Sequence, residues 1–152
     1  MKRTLALILA LAAILMLAAC GAKKEFAPDL DALYEKILAE TGTADMTLLS
    51  DRKITTYMGL EPEDYTKAIV AICGDSVLAD EIWLVEAKDE AACGRIVALA
   101  QERVEVQSEA MKNYLPDQYE VLRQAKVLQQ GKYMALFVSP EAAKMQSLFE
   151  NA

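Results

Sequence analysis

The sequence predicts an α+β fold: a four-stranded antiparallel sheet packed against helices, with a long central helix and a helical N-terminal segment. Three observations predict it. Two pairs of short strand-like runs, at 66–73 with 82–87 and at 125–130 with 132–139, are each joined by a turn-like spacer. Between the pairs, from Asp89 to Asn113, apolar residues recur with helical rather than alternating period. Ahead of both, Leu30, Leu33, Tyr34, Ile37 and Leu38 fall at the i, i+3, i+4, i+7, i+8 spacing of one buried helix face.

The chain begins with a different kind of element. Lys2 and Arg3 precede an uncharged run from Thr4 to Ala19. That run makes roughly 24 Å of helix at 1.5 Å per residue, short of the ~30 Å core of a bilayer. A basic end, an apolar middle and small residues at the close form the layout of a secretory signal. The closing residues, Leu17-Ala18-Ala19-Cys20 followed by Gly21, resemble the lipobox of bacterial lipoproteins. That likeness implies that the Cys20 thiol receives a diacylglycerol and that residues 1–19 are then removed. The expected organisation is a lipoprotein signal at 1–19, a lipidated tether at 20–28 and a single domain at 29–152.

Removal of the signal leaves 133 residues, enough for one domain, with 14 basic residues against 23 acidic ones and a net charge of −9. Nucleic acid is bound chiefly by neutralising phosphates with Lys and Arg, so this balance argues against such a partner. The tether, "GAKKEFAP", extends at most roughly 28 Å. It carries Lys23 and Lys24, which either meet an anionic lipid surface or are simply solvated.

Within the domain, Asp29 is placed to cap the first helix and Gly42 to end it. A second, shorter helix is expected from Asp51 to Met58, with Ser50 as its cap, Ile54, Tyr57 and Met58 facing inward and Gly59 as terminator. "LEPEDY" reads as a turn. The runs 66–73 and 82–87 form an antiparallel pair around "GDSVLADE". Asp89 opens the long helix, whose inward stripe is Cys93, Ile96, Val97, Ala100, Val104 and Met111, with Glu102, Glu105, Glu109 and Lys112 outward. Pro116 starts a short helix after it. Residues 125–130 and 132–139 form a hairpin turning near Gly131, and Ser139-Pro140-Glu141 opens a last helix that buries Met145, Leu148 and Phe149. The strand-strand-helix unit appears twice, without residue-by-residue similarity, which leaves duplication open.

Six stretches in this order, "DLDALYEKI", "YMGLEPEDY", "ADEIWLVEAKD", "YLPDQYEVLRQAKV", "GKYMALFVSP" and the lipobox at Cys20 ahead of them, resemble a family of small lipoproteins from low-GC Gram-positive bacteria known as domain of unknown function 4358. The resemblance implies a lipid-anchored protein on the outer face of the cytoplasmic membrane. It supplies no active-site residue.

Chemistry-bearing patterns are sparse. The chain has no histidine, which removes serine-histidine and cysteine-histidine mechanisms. It has no Gly-x-Ser-x-Gly, no phosphate-cradling loop and no calcium loop. No cofactor, metal or catalytic residue is therefore expected. Among the carboxylates, Asp80 with Glu81, and Glu61 with Glu63 and Asp64, read as turn and cap residues.

Cys73 and Cys93 invite a disulfide in an exported chain. Seven strand residues, however, separate their ends of the second strand by roughly 23 Å, of which one helical turn returns about 6 Å. A disulfide tolerates a Cα separation of only about 7 Å, so two unpaired and largely buried thiols are expected. Trp83 is expected in the core, with Tyr114 and Tyr119 buttressing a helix junction; the other reading is a groove lined by these aromatics for a peptide or glycan. The functional expectation is a membrane-anchored, extracytoplasmic, non-catalytic module that binds an unidentified protein or envelope ligand. The alternative is a cell-envelope hydrolase that uses carboxylates.

Overall fold

The computed structural model describes residues 25–152 apart from Ala44, so the expected signal at 1–19 and the expected lipid acceptor Cys20 lie outside the described residues. In chain order the elements are helix α1 (Leu30–Thr41), strand β1 (Met46–Leu48), helix α2 (an α-turn at Asp51–Lys53 running into a π-turn at Ile54–Met58), β2 (Tyr65–Cys73), β3 (Glu81–Ala87), α3 (Glu90–Met111), α4 (Pro116–Arg123), β4 (Lys126–Gln130), β5 (Tyr133–Val138) and α5 (Ala142–Glu150).

The four expected strands are all present, but the sheet has five, in the order β1-β2-β3-β5-β4, and every neighbouring pair is antiparallel. The additional strand, β1, pairs Met46, Thr47 and Leu48 with Cys73, Ile72 and Ala71 at the edge. Three residues are too few to display a two-residue alternation, so only pairing reveals β1.

Both faces of the sheet are covered. On one face Val70, Trp83, Val85, Leu136 and Val138 pack against Ile54 and Met58 of α2, Cys93, Ile96 and Ala100 of α3, and Leu122 of α4. On the other, Ile69, Ile82, Leu84, Ala135 and Phe137 pack against Leu30, Leu33, Tyr34 and Ile37 of α1 and Ala142, Met145 and Phe149 of α5. Enclosure from both sides explains why β3 and β5 read as unbroken apolar runs, a pattern more familiar from parallel sheets. All six residues of β5 are buried.

The same layering answers the question of duplication. Exchanging the two hairpins across the antiparallel β3–β5 ladder takes a two-fold axis normal to the sheet, which keeps each face on its own side. Helices α3 and α5 lie on opposite faces, so the repeated strand-strand-helix order carries no such symmetry.

Most helix boundaries follow the sequence signals. The Asp29 carboxylate accepts from the Asp31 and Ala32 N–H groups at 3.1 and 3.3 Å, and Asp89 accepts from Ala92 N–H at 2.7 Å. In α2 the Ser50 side chain makes no cap; its carbonyl instead accepts from Lys53 and Ile54 N–H. The widened π-turn puts Ile54 and Met58 into the core and leaves Tyr57 outside, 65 % exposed, contrary to the expected inward stripe. Gly59 ends α2 at φ +72°, a conformation that disfavours a side chain. Helix α5 begins at Ala142, beyond the expected proline start, with Ser139 Oγ accepting from Glu141 N–H at 3.2 Å.

The sheet runs between two poles. The lower pole carries the C-terminal end of β3, the start of α3 and the β4–β5 turn. The upper pole carries the β2–β3 loop and the start of β3. At 22 residues, α3 is about 33 Å long, against roughly 23 Å for the seven residues of β3. It therefore overhangs the sheet at the upper pole.

Candidate functional site

A broad groove lies at the upper pole. Asp45, Met46, Thr47, Cys73, Gly74, Asp75 and Leu78 line a volume of about 720 Å³. Its walls follow from how β1 meets the end of β2. Asp45 enters β1 at φ +62°, in the left-handed region, and its carbonyl accepts from Gly74 N–H at 2.9 Å. A Cβ on Gly74 would lie 3.3 Å from that carbonyl oxygen, which favours glycine at this close approach. Asp75 then folds the loop over itself: its carboxylate accepts from Val77 N–H at 3.0 Å and its carbonyl from Leu78 N–H at 3.1 Å. Ala79 N–H donates to Gln118 Oε1 of α4 at 2.9 Å, tying the loop to the helices. Between these ties Val77 and Leu78 stand exposed.

Beneath the groove, where α3 passes the start of β3, sits a buried polar cluster. Glu81 is 2 % exposed. Its Oε1 accepts from Trp83 Nε1 and from Arg103 Nε, both at 2.5 Å, and its Oε2 from Arg103 Nη2 at 2.7 Å. Gln107 Nε2 approaches the same oxygen at 3.5 Å, while Gln107 Oε1 is buried without a partner. Every one of these donors points at the carboxylate, so Glu81 is committed to a forked ion pair and is poorly placed to act as a base. This corrects the reading of Glu81 as a turn or cap residue. Burial pushes the neighbouring Asp80 carboxyl above its usual range, with a hydrogen bond from Ser139 pulling the other way.

The second acidic group behaves as expected. Asp64 N–H donates to the Glu61 carbonyl at 2.9 Å, closing a turn, and the Asp64 carboxylate pairs with Arg95. That contact holds the Asp64 carboxyl below the usual range.

Cys73 and Cys93 are both unpaired. Cys93 is buried, and desolvation pushes its thiol up to about 11, which makes it a poor nucleophile. Cys73 is only half-buried, less enclosed than its place in a strand suggested, and lies on the groove. Trp83 is fully buried, as expected of a core residue. Tyr119 is half-buried beneath the Arg123 guanidinium, 5.9 Å from its ring centre. Tyr114 contradicts the expected buttress: it is 83 % exposed in the turn between α3 and α4, because α3 has already run past the sheet it could pack on. Among the described residues, no group of three or more acidic or cysteine side chains is placed to hold a metal ion. No helix among them is long and apolar enough to cross a membrane.

A family model for a domain of unknown function, DUF4358, matches residues 39–139. The chain belongs to the DUF4358 family. The DUF4358 match takes in the whole five-stranded sheet, α2, α3 and α4, and therefore both the groove and the Glu81 cluster. Residues 30–38 of α1, the whole of α5 and the residues that resemble a lipobox lie outside it. No curated protein and no solved structure matches the chain.

Sequence reasoning missed the Glu81 cluster, although one signal was present. Cys93, Ile96, Ala100, Arg103 and Gln107 continue a single stripe along α3, so the last two polar residues had to face something in the protein. Glu81, two residues before Trp83 on the same strand face, was the acid available to meet them.

Proposed function

We propose that this protein is a lipid-anchored module on the outer face of the cytoplasmic membrane that acts by binding another envelope component rather than by catalysis. The observation that carries the binding reading is the upper pole, where Val77 and Leu78 stand exposed beside the 720 Å³ groove on a loop tied down at both ends. Apolar side chains held out on an ordered loop suit recognition, since little conformational freedom is lost on contact. The chemistry of the nearby acids supports the same reading, because the best-buried carboxylate, Glu81, is already occupied by Arg103.

Two measurements on intact cells test the proposal. A photo-crosslinker at Leu78 should give a discrete adduct that the same group at the exposed Ser147 of α5 does not give. Equal or absent adducts at both positions would refute binding at this pole. A Cys20→Ser variant should lose incorporation of a labelled lipid precursor and leave the membrane; a variant that stays anchored would refute lipidation at Cys20.

A further inference from the structure

The first described residues are fixed to the domain. Phe26 sets its ring edge-on to Tyr133 at 5.6 Å between centres and to Phe149 at 5.2 Å. It thus closes the α1–α5 face of the core at the lower pole. Glu25, beside it, shares a groove with Asp89, Glu90, Gln130, Gly131 and Lys132, and its charge acts on the Lys132 ammonium. The chain therefore leaves the domain at the lower pole, next to the β4–β5 turn and the start of α3.

From this geometry we infer that Phe26 is a clasp that orients the domain on a lipid surface, with the β4–β5 turn facing the bilayer and the Val77–Leu78 loop held away from it. The inference rests on lipidation of Cys20. Only five residue steps separate Cys20 from Glu25, a reach of at most about 18 Å. Were the chain free as far as Asp29, nine steps would allow about 32 Å. The sheet itself is roughly 23 Å from pole to pole. With the shorter reach, the domain cannot invert without bringing the anchor around its own body. With the longer one, it can lie on either side. The clasp thus decides which surface is offered outward: the groove at Asp45 and Gly74 lies a full strand length from the point of attachment.

The test uses the full chain, processed in a lipidating bacterial host and reconstituted into phosphatidylglycerol–cardiolipin vesicles that contain a headgroup-linked nitroxide quencher. With Cys73 replaced by Ala, a thiol-reactive fluorophore is placed at Gln130→Cys on the lower pole or at Val77→Cys on the upper. Quenching at residue 130 should exceed that at residue 77 several-fold. Equal quenching in vesicle-bound protein overturns the orientation alone, whereas protein that does not bind vesicles overturns the anchoring on which it rests.

Phe26→Ser should abolish the contrast while the protein remains bound and folded by circular dichroism. Phe26→Tyr, which keeps an aromatic ring between Tyr133 and Phe149, should preserve it. An undiminished contrast in bound Phe26→Ser protein overturns the role of the clasp.

Discussion

At the scale of single residues, the Glu81–Arg103 pair is the most buried ion pair among the described residues, with one partner almost fully buried and the other about a quarter exposed. Removing one side of such a pair leaves a charge without its counter-ion. Glu81→Ala should lower the unfolding free energy by about 3 kcal/mol, measured in urea. The double variant Glu81→Leu, Arg103→Met should recover most of that loss. Trp83 offers a second readout, since its indole N–H loses its acceptor and its emission should shift in Glu81→Ala.

The thiols divide by burial. A maleimide should label Cys73 in the native protein and reach Cys93 only after unfolding, and intact mass should show no disulfide. Asp80 illustrates a cost rather than a gain. Its folded pKa is raised above the usual 3.8, so ionisation works against folding once the pH exceeds that value. Asp80→Asn should therefore raise the melting temperature near pH 7 and make little difference near pH 3, where the carboxyl is protonated in both states.

At the scale of elements, local signals proved reliable where they act through the backbone alone. Asp29, Asp89 and Gly59 each sit at the helix end that their chemistry favours. Asp89→Ala should cost about 1 kcal/mol of stability, as loss of a cap generally does. Signals that depend on a neighbour were less legible. Tyr57 fits an α-helical stripe, but the π-turn in α2 rotates it to solvent. Tyr114 belongs to a stretch that reads as a helix junction, yet nothing of the sheet extends far enough to cover it. Strand β1 exists only because the end of β2 offers it an edge.

At the scale of the whole molecule, acid sensitivity should follow from the exposed pairs. Asp64 is lowered by its hydrogen bond with Arg95 and Glu86 by its hydrogen bond with Lys132, and depressed carboxyl pKa values favour the folded state above the unfolded pKa. That contribution should fade as the pH falls through about 4.5 and below, seen as a declining melting temperature that salt also reduces at neutral pH.

Helical apolar period, short β-branched apolar runs and cap or proline signals by themselves determined the helices, four of the five strands and the α+β class, because each acts through residues close together in the chain. Its first twenty residues carry the order of basic end, apolar run and Leu-Ala-Ala-Cys on which the proposed lipidation rests, and that order is read without any fold. Tertiary structure alone decided that α3 and α5 lie on opposite faces, that Glu81 meets Arg103 across 22 positions, and that the upper-pole groove forms between β1 and the β2–β3 loop. These are contacts between residues distant in the chain. Pairing of that kind is set by packing and by the desolvation of charge; the stripe along α3 turns Arg103 and Gln107 inward, but no repeat in the sequence names the partner they meet.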